Sequence, residues 1–125
     1  MPDGQQVFLY GSTNGAAKST GPGAGATVAT ITPGSGLHDV EIWISINGTA
    51  VVAADSNNMK ASFGSTALAA FMPYASTTSG TTNAAGPYRY RVFGDGVTAL
   101  TVQAVAAATG TAVYSAHIVA TRVGP

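Results

Sequence analysis

Five carboxylates and two histidines hold most of the acid–base chemistry open to this chain: Asp3, Asp39, Glu41, Asp55 and Asp95, with His38 and His117. Only Asp39 and Glu41 stand at i, i+2. On a strand that spacing puts both on one face, about 7 Å apart. The separation falls in the range of an inverting glycosidase pair. Such a site also needs a cleft with aromatic platforms. Arg89 and Arg91 repeat the same spacing on a second segment, so the four residues can instead pair across neighbouring strands. Ion pairing or plain surface is the expected role.

The remaining chemistry is thin. His38 and His117 fall on different segments, and a zinc site wants three or more ligands, usually in close pairs. His38 and Asp39 are adjacent, so they point to opposite faces of a strand. No G-x-S-x-G elbow marks a nucleophilic serine. Gly21–Ala26 (GPGAGA) fits the outline of a dinucleotide fingerprint. Its surroundings read loop–turn–strand, whereas the fingerprint requires strand–turn–helix. Asn47-Gly48-Thr49 is a glycosylation sequon set in a tight turn, where modification is not expected. The chain is expected not to be an enzyme and to need neither cofactor nor metal.

Aromatic placement suggests binding instead. Trp43, the single tryptophan, and Phe93 sit on the polar faces of their segments. With Asp39, Glu41, Arg89 and Arg91 they form the candidate interface set, because Trp and Arg are enriched at interface hot spots. The same set could stack a sugar ring. The competing reading is a second buried face within the same fold.

These residues belong to an alternating chain. Val40, Ile42, Ile44 and Ile46 take one face of a strand from Leu37, and Asp39, Glu41, Trp43 and Ser45 take the other. Asn47-Gly48 suits a type I′ turn, so 37–54 reads as a β-hairpin. Gln5–Tyr10 reads as a first strand, and 11–25 as a Gly-rich loop or arm that docks on a neighbour. Gly25–Thr32 alternates, and its β-branched residues favour a strand. Residues 55–66 are polar and turn-rich, with Met59 and Phe63 as anchors. Residues 67–74 fit either strand or helix, with strand preferred. Residues 75–86 read as a Ser/Thr/Gly loop. Tyr88–Phe93, Val97–Ala107 and Thr111–Val123 form a meander. The whole is one domain over 1–125, all-β, with about 7–8 strands. An antiparallel β-sandwich or jelly roll is expected, and an immunoglobulin-like sandwich is the alternative.

Composition narrows the partners. Charged residues make up 8% of the chain and the formal net charge is zero, against about 25% charged in ordinary soluble domains. A surface so poor in charge is weakly protected against association, which favours a chain covered by neighbouring subunits. The five basic residues are scattered, which argues against nucleic acid as a partner. No run reaches the roughly 18–20 apolar residues of a membrane helix. Met1 is present and no signal peptide is visible, so a complete chain made in the cytoplasm is expected. With no cysteine, disulfides and thiolate metal sites are excluded.

The low charge, the absence of cysteine, the Gly/Ala/Thr-rich composition, the arm at Gly11–Gly25 and the C-terminal meander ending at Ala116–Arg122 together resemble one class. It comprises the small β-sandwich virion proteins of tailed bacteriophages, head decoration or cement proteins in particular. The resemblance implies a non-enzymatic subunit of a viral particle that stabilises the capsid shell as a symmetric oligomer, often a homotrimer, bound to major capsid or other virion proteins. It implies a virion location after synthesis in the host cytoplasm. A tail or fibre component, or a carbohydrate-binding module that takes glycans on Trp43, is the alternative.

Overall fold

Apolar and polar residues alternate through most of the chain, and among the described residues the backbone follows with strands joined by turns and irregular segments. The computed structural model describes residues 8–14, 27–47, 59–69, 83–104 and 113–125. They contain strands β1 (Phe8–Asn14), β2 (Thr27–Ile31), β3 (Gly36–Asn47), β4 (Met59–Phe63), β5 (Thr66–Ala69), β6 (Asn83–Gly94), β7 (Leu100–Ala104) and β8 (Val113–Gly124), with no helix among the described residues. Two four-stranded sheets result, in the orders β1-β8-β3-β6 and β2-β7-β4-β5. Every pairing is antiparallel. The expected all-β sandwich is the architecture found.

The pairings follow one scheme. β1 pairs with β8, β2 with β7, β3 with β6 and β4 with β5. That is a long two-armed ribbon with β4–β5 at its far end. Rolling the ribbon brings β8 against β3 and β7 against β4.

One hydrophobic cluster joins the inner faces of the sheets. Val40, Ile42 and Ile44 of β3, with Tyr114, Ala116, Ile118 and Ala120 of β8, supply one side. Val28 and Ile31 of β2, Met59 of β4, and Leu100 and Val102 of β7 supply the other. Across β3 and β8 the register sets large beside small: Ile44 faces Ala116 and Val40 faces Ala120, while Ile42 meets Ile118 at the centre. The alanines of β8 leave room for the branched residues beside them, which close packing requires.

Several expectations need correction. The 37–54 hairpin has no edge to use: β3 is flanked by β8 on one side and β6 on the other, and a strand has only two edges. Residues 48–58 lie outside the described residues. The segment read as a polar turn at 55–66 contains strand β4, whose Met59 is wholly buried. The anchor was visible, but β7 is the partner that makes it a strand. Asn83–Gly86, taken as the end of a loop, begins β6 because Ala84 and Ala85 pair with Ser45 and Ile44. Gly11–Asn14, read as the start of the arm, continue β1 along β8; residues 15–26 lie outside the described residues. The start of the ambiguous 67–74 segment belongs to strand β5.

Glycines and one carboxylate shape the end of the sandwich after β6. A Cβ on Gly94 would strike the carbonyl oxygen of Gly34, so the chain passes there only without a side chain. The amide of Gly96 donates to the carbonyl of Pro33 (3.1 Å). The Asp95 carboxylate accepts from the Thr98 hydroxyl (2.6 Å) and from the amides of Thr98 (2.6 Å) and Val97 (2.8 Å). Those donors, the Thr98 hydroxyl first, lower its pKa from 3.8 to about 2.

Three expected outcomes follow from these contacts. Ile118→Ala removes a fully buried side chain and should cost about 2–5 kcal/mol in urea unfolding. Phe93→Ala, at a position 72% exposed, should stay within about 0.5 kcal/mol. The depressed Asp95 pKa stabilises the folded state above the unfolded value of 3.8, and the gain disappears as pH falls toward about 2. Thermal melts across that window should therefore show an acid-side loss that Asp95→Ala flattens.

Candidate functional site

The alternation that buries Val40, Ile42 and Ile44 turns the intervening residues of β3 outward. β6 does the same: Val92 is buried, while Arg89, Arg91 and Phe93 are exposed. All six candidate interface residues, Trp43, Asp39, Glu41, Arg89, Arg91 and Phe93, thus share the outer face of the first sheet. The register sets Asp39 opposite Arg91, Glu41 opposite Arg89 and Leu37 opposite Phe93.

The expected ion pairs are present. Arg91 Nε donates to Asp39 Oδ1 at 2.7 Å, and Arg89 Nε lies 3.5 Å from Glu41 Oε2. The hydrogen bond to Asp39 raises the Arg91 pKa. Both pairs are solvent-exposed, so they add little to stability. Between them lies an open depression of about 430 Å³ lined by Asp39, Val40, Glu41, Arg89, Tyr90 and Arg91. Burial raises the pKa of Tyr90 and, with a smaller effect from Tyr90, that of Tyr88, so neither phenol ionises near neutrality.

The two large aromatics do not meet. Phe93 lies beside Leu37, and Trp43 lies six residues further along β3, about 20 Å away at the strand rise. They mark opposite ends of the charged rows. Trp43, 38% exposed, has its own surroundings. On β8 its register partner is His117, whose ring meets the indole edge-to-face, with centroids 6.1 Å apart and planes at 61°. On the β6 side a bulge falls between Ile42 and Ile44, opposite Gly86. Gly86 has φ +123°, and a Cβ there would lie 2.7 Å from the Ile42 carbonyl oxygen and 3.3 Å from the indole Cδ1. The missing side chain lets β6 approach β3 beside the ring.

The sequence placed His117 only on a different segment from His38, and its role beside Trp43 was not legible, because the two are paired across β3 and β8 at long range. The hydroxyls of Ser45 and Ser115, hydrogen-bonded across the same strands, were missed for the same reason. His38 faces the other way, as its adjacency to Asp39 implied. It is 1% exposed, and its Nδ1 lies 3.0 Å from the carbonyl of Gly36. The two histidines occupy opposite faces of the sheet. Among the described residues, no group of three or more His, Cys, Asp or Glu could hold a metal ion.

No protein-family model matches the chain, and no curated protein matches it. Among solved structures, the fold is similar to that of a chain in the Cyanophage Pam1 capsid asymmetric unit. The TM-score is 0.55 and the identity 19%, with 95% of this chain and 84% of that chain covered.

The geometry around the indole sets an expected outcome. His117→Ala should leave the fold intact, red-shift Trp43 emission and increase acrylamide quenching. Unchanged emission and quenching would mean that His117 does not shield the ring.

Proposed function

We propose that this chain is a non-enzymatic structural subunit of a tailed-phage particle, a decoration protein that stabilises a capsid shell as a symmetric oligomer. The observation that carries the reading is the whole-chain likeness in fold to a chain of a cyanophage capsid asymmetric unit. The rolled ribbon supports it: the 1-8-3-6 and 2-7-4-5 strand orders are compatible with a jelly roll, an architecture that recurs in viral capsid and lectin domains. Composition adds a physical reason. A chain with 8% charged residues and zero net charge suits a surface largely covered by neighbours, where repeated small contacts multiply by symmetry.

In this reading the outer face of the first sheet is the contact surface. Its charged rows fix register, and Trp43 and Phe93 anchor the ends. Partners are other copies of the chain, in a symmetric oligomer, and the major capsid or other virion proteins. The chain is made in the host cytoplasm and resides in the virion. A tail or fibre position would use the same face.

A second reading draws on Trp43 itself. An indole held between Gly86 and His117, with Glu41 and the Ser45–Ser115 hydroxyls nearby, is a platform on which a sugar could stack. Glycan-array binding that Trp43→Ala abolishes would favour a carbohydrate-binding module.

Quantitative mass spectrometry of purified particles tests the main reading. The chain is expected in stoichiometric, repeated copies with the major capsid protein, and particles lacking it should rupture at lower temperature. Its absence from purified particles would overturn the assignment.

A further inference from the structure

The outward residues of β3 and β6 form two parallel columns. Along β3 they run Leu37, Asp39, Glu41, Trp43. Along β6 they run Phe93, Arg91, Arg89, and then, by the two-residue period, the exposed Pro87. Each step on one column faces a complementary step on the other: apolar to apolar, acid to base twice, and the indole beside the Gly86-Pro87 end.

We propose that this face pairs with the same face of a second copy of the chain, about a two-fold axis parallel to the strands. The inference rests on reading the face as a contact surface and adds that a second copy, not the major capsid protein, covers this face, two by two.

Symmetry selects the arrangement. A two-fold axis along the strands, midway between β3 and β6, lays β3 of one copy over β6 of the other without shifting the register. Asp39 then meets the second copy's Arg91 and Glu41 its Arg89. Leu37 meets Phe93 and Trp43 meets Pro87. A two-fold axis across the strands would instead stack acids on acids and arginines on arginines. Edge-to-edge pairing of β6, a sheet edge, would bring Arg89 and Arg91 of the two copies side by side, and like charges directly opposite are unfavourable. Only the first operator satisfies both columns, and a self-complementary patch is what a two-fold interface requires.

The long side chains flank the open depression between the rows, which leaves space for the partner's side chains. Four residue steps on two strands cover about 20 Å by 10 Å. Even with the flanking β8 residues, that is below the roughly 800 Å² per partner of a standard interface. Association of the free chain is therefore weak and salt-sensitive, and it strengthens where a particle holds copies at high local concentration.

Charge reversal tests the pairing by sedimentation equilibrium of the full chain. The wild type should form a concentration-dependent dimer that weakens with salt. Asp39→Arg with Glu41→Arg makes the face all positive. Arg89→Glu with Arg91→Glu makes it all negative. Each half-swapped variant should dimerise at least about tenfold more weakly at low salt, an equimolar mixture should restore the dimer, and the full four-residue swap should dimerise alone. The full swap keeps both intrachain pairs and serves, with circular dichroism, as the folding control. A wild type that stays monomeric at the highest concentration would overturn the pairing, as would a dimer or trimer indifferent to the half swaps. If the wild type is monomeric yet a half swap abolishes attachment to particles, the face binds a different protein: the pairing falls and the contact-surface reading stands. Half swaps that alter neither self-association nor attachment would sink both.

Discussion

Val40, Ile42 and Ile44 point from the middle of the first sheet into the space between the sheets, and the rest of the molecule is arranged around keeping them there. β3 is flanked along its length by β6 and β8, so its backbone is satisfied on both edges while its isoleucines meet the alanines and Ile118 of β8. The pleat allows no compromise: a one-residue slip would turn Asp39, Glu41 and Trp43 into the core and the isoleucines into water. The burial that stabilises the sandwich is therefore the same constraint that presents the polar face. The residues of that polar face hold positions dictated by packing on the far side of the sheet.

That coupling explains which parts of the fold could be read from the chain. The faces of β3 and β6 follow from alternation alone, and the matched spacing of Asp39/Glu41 with Arg89/Arg91 anticipated both ion pairs. Partner choice was less legible. Asn47-Gly48 carries strong local turn chemistry, yet β3 takes as neighbours two strands roughly fifty and seventy residues distant, because rolling the ribbon buries more apolar surface than a local hairpin can. β4 was hidden by the polar run around Met59, since the pattern is short and its identity as a strand depends on β7. Ala84 and Ala85 looked like loop because small residues carry little periodic signal.

The candidate site shows the same division. Six residues chosen for type and spacing fall on one face, and the charged pairs form as expected. Trp43 and Phe93 stand at opposite ends of that face, about 20 Å apart, because six residues of extended chain separate them. What surrounds Trp43 came from long-range register: His117 on one side, and on the other a glycine at positive φ where any side chain would strike the Ile42 carbonyl. Gly86 had no distinguishing mark within a Ser/Thr/Gly run. Its importance appears only once β6 lies against β3.

The central claim is that the outer face of the first sheet becomes covered when the protein assembles. Hydroxyl-radical footprinting of the isolated and the assembled chain tests it most directly, because the molecule contains its own control. Phe93 and Trp43 lie on the face, whereas Val97, 82% exposed, sits on the turn beyond β6. Assembly should protect Phe93 and Trp43 severalfold and leave Val97 reactive. Equal labelling of Phe93 and Trp43 in both states would contradict the account.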